Sequence, residues 1–191
     1  MSASIIERLL VRIAGGGRSR RVAAVSGLFA TVVSRAREPG FYSAFGVPDT
    51  LDGRFEMVAL HLFLVMRRLK GQGAGAAKLS QSLYEAMVDD FEKSLMEMGA
   101  GDSGVPRRVK TMARGMAGRI RAYDEALSEP GDGRLEVALD NNLYGTVDPA
   151  PAGALGAMAG YVRASAAALD AQPLEALLRG EARFAPVPVP A

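Results

Sequence analysis

The sequence predicts an all-α, single-domain, irregular bundle of about seven to nine helices around one buried central helix. Three observations carry that expectation. Apolar residues recur at intervals of three and four in nearly every long segment, the spacing of one helical face. No stretch alternates apolar and polar residues at the period of a strand. Glycine and proline clusters cut the chain into helix-sized pieces, and 191 residues with 49% hydrophobic content are enough for one sizeable core.

In chain order, Ser4 to Ala14 reads as a short amphipathic helix on Ile5, Ile6, Leu9, Leu10 and Ile13, which Gly15 to Gly17 should end. A second helix follows from about Arg20 to Ala36, with Val22, Val25, Leu28, Phe29 and Val32 inward. Pro39 and Gly40 punctuate it, and a helical turn carries Phe41, Tyr42 and Phe45. Asp49, Thr50 and Asp52 supply helix-start chemistry for the segment Arg54 to Lys70, which is apolar nearly all round and so is the central helix. After the glycine-rich Gly71 to Gly75, a helix over about 77–98 places Leu79, Leu83, Met87, Phe91 and Leu95 at strict four-residue spacing.

Gly99 and Gly101 stop that helix, and Pro106 sits where a first-turn proline is tolerated. The next helix runs to about Leu127, and Pro130 and Gly131 break it. Shorter helices are expected at Leu135 to Tyr144, Ala154 to Leu169 and Pro173 to Arg179. The chain therefore divides into an amphipathic basic segment over 1–21, a helical body over 22–184, and a Pro-rich tail over 185–191. That tail, APVPVPA, reads as extended and mobile.

Composition excludes several chemistries. Without cysteine there is no disulfide, thiolate nucleophile or thiolate metal site. A single histidine, His61, leaves little for a metal centre or a Ser/His machine. The net charge of +2 gives no global field for DNA. The longest apolar run, Met57 to Met66, is too short to span a bilayer, and Glu7, Arg8 and Arg12 interrupt any signal-peptide core. The expectation is a cytoplasmic protein.

Candidate sites are weak when weighed singly. The loop GQGAGAAK (Gly71 to Lys78) lacks the order of a P-loop and follows a helix, so it is a helix connection. His61 has only apolar helical neighbours three and four positions away, which suits a satisfied core group better than a base. Glu85, Asp89, Asp90, Glu92 and Glu97 make an acidic face, better read as solvated than as a metal site.

The most informative stretch is Met96 to Leu127. From Val105 to Tyr123 it carries Arg107, Arg108, Lys110, Arg114, Arg119 and Arg121 and no acid, while Val109, Met112, Met116, Ile120 and Tyr123 keep one apolar face. Such a helix fits an anionic lipid surface, an acidic protein or a ribosomal surface, or it is simply solvated. It lacks the aromatic interleaving of a stacking platform.

Taken together, these residues resemble a known family. FGVPDT (Phe45 to Thr50), DGRFEMVALHLFLVMRRL (Asp52 to Leu69), the acid pair at Asp89 and Asp90, a GxGD turn at Gly99 to Asp102, VPRRVK, GRxxAY (Gly118 to Tyr123) and NNLYG (Asn141 to Gly145) follow the order seen in bacterial-type ubiquinol–cytochrome c chaperones. The resemblance runs collinearly over about 22–184. It departs at Met96, where the family often has arginine, and at Met116 and Ala117, where aromatics are usual.

The resemblance implies an all-helical, non-enzymatic assembly chaperone with no catalytic residue, metal or cofactor. Its implied client is newly made cytochrome b of the ubiquinol–cytochrome c reductase complex. A small helper subunit, the ribosome, or the anionic cytoplasmic face of the inner membrane are further implied contacts. Arg107, Arg108, Lys110 and Arg114 are the candidate client- or membrane-binding residues, with Arg54 and Arg67 second. His61, Asp90, Gly99, Asp102, Gly118, Arg119 and Tyr123 are its structural motif positions. The alternative readings are a helical lipid- or isoprenoid-binding protein and a ribosome- or RNA-associated module using 105–123.

Overall fold

The computed structural model describes residues 5–97, 105–147 and 149–187, and for 5–18, 105–110, 112 and 113 it describes the backbone alone. Among the described residues there are eight helices and no strand: α1 (Ile5–Ala36), α2 (Pro39–Ser43), α3 (Leu51–Leu69), α4 (Ala74–Glu97), α5 (Val105–Ser128), α6 (Gly133–Asn142), α7 (Ala154–Asp170) and α8 (Leu174–Arg179). The chain is all-α, as its periodicity predicts.

Helix α3 is the axis. Every residue from Ala59 to Val65 is buried, because α1, α4, α5 and α7 all pack against α3. Its start follows from local chemistry: Thr50 Oγ1 accepts the Gly53 amide at 3.1 Å, and Asp52 lies in the positive first turn. Gly53 is required there, since a Cβ would lie 2.0 Å from the Pro48 carbonyl oxygen that folds over this turn. Helix α4 buries Leu79, Leu83, Met87, Phe91 and Leu95, the predicted stripe, against α1, α3 and α5. Helices α5, α6 and α7 stack in sequence, each on the next.

Two expectations change. Gly15 to Gly17 do not end the first helix: α1 is continuous from Ile5 to Ala36. Glycine in a helix interior costs roughly 1 kcal/mol against alanine but still adopts helical angles, and no proline enforces a break here. Division of the chain at residue 21 therefore falls inside one helix. Later, α6 ends at Asn142, so Tyr144 lies beyond it, where its hydroxyl donates to the Phe45 carbonyl at 2.8 Å.

The start of the Pro-rich tail is packed on the body rather than free of it. Phe184 and Ala185 are buried, and Val187 rests against the core. Helices α1 and α8 approach so closely that a Cβ on Gly27 would stand 2.8 Å from the Gly180 carbonyl oxygen. Gly180 itself ends α8 at φ 102°, a conformation that favours glycine.

Candidate functional site

Helix α5 separates its cations by face. Met116, Tyr123 and Ala126 are buried, whereas Arg114 and Arg121 are exposed and have no ion pair among the described residues. Arg114 and Arg121 fall on the side of the helical wheel opposite Met116 and Tyr123. The side chains of Arg107, Arg108 and Lys110 lie outside the described residues, as do Gly99 and Asp102. Gly118 is on the exposed side, with open space where a Cβ would be.

Arg119 is used differently. From the flank of α5 it reaches Glu56 on α3, with Nε donating to Oε2 at 2.7 Å and a terminal nitrogen donating to Oε1. The side chains are only 18% and 10% exposed, so this is a largely desolvated pair. Burial pushes the Glu56 carboxyl above its ordinary range while Arg119 opposes that shift, and the bond to Glu56 holds Arg119 firmly protonated. The guanidinium also lies 5.7 Å from the Phe55 ring centroid. Beneath it, Tyr123 packs on Phe63 with centroids 5.6 Å apart, and its buried hydroxyl finds no hydrogen-bond partner among the described residues.

The remaining sequence-predicted positions are scattered. Arg54 is exposed and paired with Asp49 at 2.6 Å. Arg67 bonds Asp170 at 3.0 Å and lies 3.9 Å from Asp124, which also holds Lys70 at 2.7 Å. Asp90 lines a cleft of about 300 Å³ between α3 and α4, together with Arg37, Arg54, Phe55, Phe91 and Glu97. A larger cavity of about 550 Å³ opens between α3, α4 and α5, walled by Phe63, Met66, Leu69, Tyr84 and Ile120 and rimmed by Arg67, Lys70 and Asp124.

His61 is fully buried. Its Nδ1 lies 2.7 Å from the Met57 carbonyl, which only accepts, so Nδ1 carries the proton; Nε2 then accepts from the Tyr161 hydroxyl at 2.7 Å. Phe41, Tyr161 and Phe184 pack around the ring. Burial holds its pKa down at about 4. This is a satisfied core histidine, with no carboxylate to orient it as a base.

Glu56 and Arg68 were not legible as site residues. Arg68 of α3 donates to the Leu169 and Gln172 carbonyls at 3.0 and 2.9 Å, closing the end of α7. Arg163 of α7 does the same for α5, donating to Glu129 O at 3.1 Å and to Gly131 O while its Nε meets Asp132 at 2.6 Å. A lone Glu56 between Phe55 and Met57 in an apolar helix is the one sequence signal of such pairing. No cluster of His, Asp or Glu suited to a metal occurs among the described residues, and no helix there is long and apolar enough to cross a membrane.

Comparison with known proteins decides the family. The model for the ubiquinol–cytochrome C chaperone family matches residues 43–184. The chain belongs to that family. The match spans the whole arginine-linked core and the buried histidine. In the solved structures, the Cbp3 homolog from Brucella abortus shares the fold, with a TM-score of 0.82 and 34% identity over 96% of this chain and 98% of that one. The ubiquinol–cytochrome c reductase complex assembly factor 1 of Xenopus laevis is 26% identical over 116 residues, 61% of this chain and 58% of that protein. Its Mus musculus counterpart is 24% identical over 161 residues, 84% of this chain and 54% of that protein. The chain thus spans somewhat more than half the length of these curated relatives.

Proposed function

We propose that this chaperone-family member is a non-enzymatic assembly factor that binds newly synthesised cytochrome b and promotes assembly of the ubiquinol–cytochrome c reductase complex. The family match over 43–184 carries the reading. Arg107, Arg108, Lys110 and Arg114 of α5 supply the surface for the client's acidic loops or for anionic headgroups beside them. Arg121 joins it because it is exposed on the same face, whereas Arg54 and Arg67 are weaker candidates because acids already engage them. The protein works peripherally at the cytoplasmic face of the inner membrane, and a helper subunit or the ribosome are further partners of this reading.

The test is a deletion strain complemented with the native chain or with Arg114→Glu/Arg121→Glu. Deletion should deplete cytochrome b and reductase activity while quinol oxidases persist, and the double variant should restore neither fully. Normal reductase assembly in the deletion strain would overturn the proposal.

The cavity of about 550 Å³ favours one second reading, a lipid- or isoprenoid-binding protein, because its size and apolar walls suit such a ligand. Failure of the purified chain to take up isoprenoid or acyl chains from vesicles would remove it. Ribosome or RNA association through α5 predicts binding that weakens steeply with salt.

A further inference from the structure

Beyond α8 the chain continues without helix or strand from Glu181 to Val187, yet it is tied down. One side chain, Gln172, accepts the Arg183 amide at 2.9 Å and donates to the Arg183 carbonyl at 2.8 Å. The Ala185 amide donates to Ser165 Oγ at 3.2 Å. Phe184 stands edge-on to His61 at 5.0 Å, and a Cβ on Gly40 would meet Val187 at 3.1 Å. These few bonds come from side chains and not from a backbone ladder, so the segment can lift without unravelling a helix.

What it covers is a directional relay. Tyr161 donates to His61 Nε2, and His61 Nδ1–H donates to Met57 O; one turn along α7 from Tyr161, Ser165 Oγ accepts the Ala185 amide. With Met57 able only to accept, the His61 and Tyr161 donors both point the same way. Protonating Nε2 sets two donors against each other, so the Tyr161 hydroxyl must turn off the ring, one helical turn from Ser165, the group that receives the segment.

We propose that residues 182–187 form a latch that opens as a unit, and that its opening is linked to protonation of His61. Closed, the latch completes the dry pocket in which the imidazole stays neutral. Open, it leaves a floor of Phe41, His61, Tyr161 and Ser165. The charged and titratable groups around the ring agree. Arg35 of α1, 4.0 Å from Glu38, disfavours a second cation, and Tyr161 of α7 is neutral. Phe41 and Phe184 carry no charge. Burial, with Arg35 adding to it, keeps the closed-state pKa near 4 against an ordinary 6.5. The open state therefore binds the extra proton between those values, and opening rises as pH falls through that window.

Native-state hydrogen exchange on the full chain tests the proposal, with Leu64 in the centre of α3 as reference. The Arg183 and Ala185 amides should exchange through an opening that leaves Leu64 protected. Corrected for intrinsic rates, that opening should increase on the order of tenfold from pH 7 to pH 5 relative to Leu64. His61 is the only histidine, so its ring titration is unambiguous. In Phe184→Ala its midpoint should move up toward 6.5 in a folded chain. Exchange of Arg183 and Ala185 only together with Leu64, a pH-independent opening, or an unmoved His61 midpoint in folded Phe184→Ala would each overturn the latch. The exchange measurement on the unmodified chain decides alone if that variant does not fold.

Discussion

Arg119 of α5 holds Glu56 of α3 through two parallel hydrogen bonds across 63 positions of sequence, and this pair is one side of a triangle. Arg68 of α3 closes the end of α7, and Arg163 of α7 closes the end of α5. Each of the three helices thus lends one guanidinium to the next. A planar fork with five donors suits this work, because it meets diverging carbonyls and a carboxylate at once.

Removing one partner of the buried pair should cost far more than removing both. Arg119→Met strands the Glu56 carboxyl under Phe55, and we expect a loss of about 3–5 kcal/mol in urea unfolding. Combining it with Glu56→Leu should recover most of that loss, because the pair's attraction is largely cancelled by its own desolvation. A double variant no more stable than Arg119→Met would show instead that the pair is a net stabiliser.

Two buried tyrosines should respond oppositely to loss of their hydroxyls. The Tyr144 hydroxyl donates to Phe45 O at 2.8 Å, so Tyr144→Phe should destabilise by about 1 kcal/mol. The Tyr123 hydroxyl is buried without a partner among the described residues, and burial raises its pKa strongly. Tyr123→Phe should therefore leave stability unchanged or raise it by about 1 kcal/mol. Thermal unfolding of the two variants side by side checks both signs.

Arg163→Lys should behave like a deletion, not a conservative exchange. A single ammonium cannot reach Asp132 and the carbonyls that end α5 together. The expected cost is about 2 kcal/mol, with faster amide exchange confined to the last turn of α5 and the start of α6.

The parts of this fold legible in the sequence are those set by neighbours along one helix. The stripe Leu79, Leu83, Met87, Phe91 and Leu95 is buried as its spacing requires, and α3, apolar nearly all round, is the centre because only a central position covers every face. What was not legible depends on residues far apart. Glu56 finds Arg119, His61 finds Tyr161 a hundred positions on, and Ala185 finds Ser165, none of which a local period records. The continuous α1 fails differently, because three glycines lower helix propensity without forbidding the helix. On α5 the helical period sets Arg119, three residues from Met116 and four from Tyr123, beside the apolar stripe, but only the structure shows it engaging Glu56 while Arg114 and Arg121 stay exposed.

That separation yields the last prediction. Arg114 and Arg121 are exposed and touch no acid among the described residues, so Arg114→Glu and Arg121→Glu should each change unfolding free energy by less than about 0.5 kcal/mol. If the outward face of α5 meets acidic client loops or headgroups, the same changes should weaken capture of cytochrome b from membranes. The loss should be largest at low salt, since an exposed charge acts over roughly one Debye length, about 10 Å at 0.1 M. Lys78→Glu is the control of equal charge change, because Lys78 is exposed on α4 and lies outside the α5 face. Equal losses from all three substitutions would mean that net charge, and not this face, governs binding.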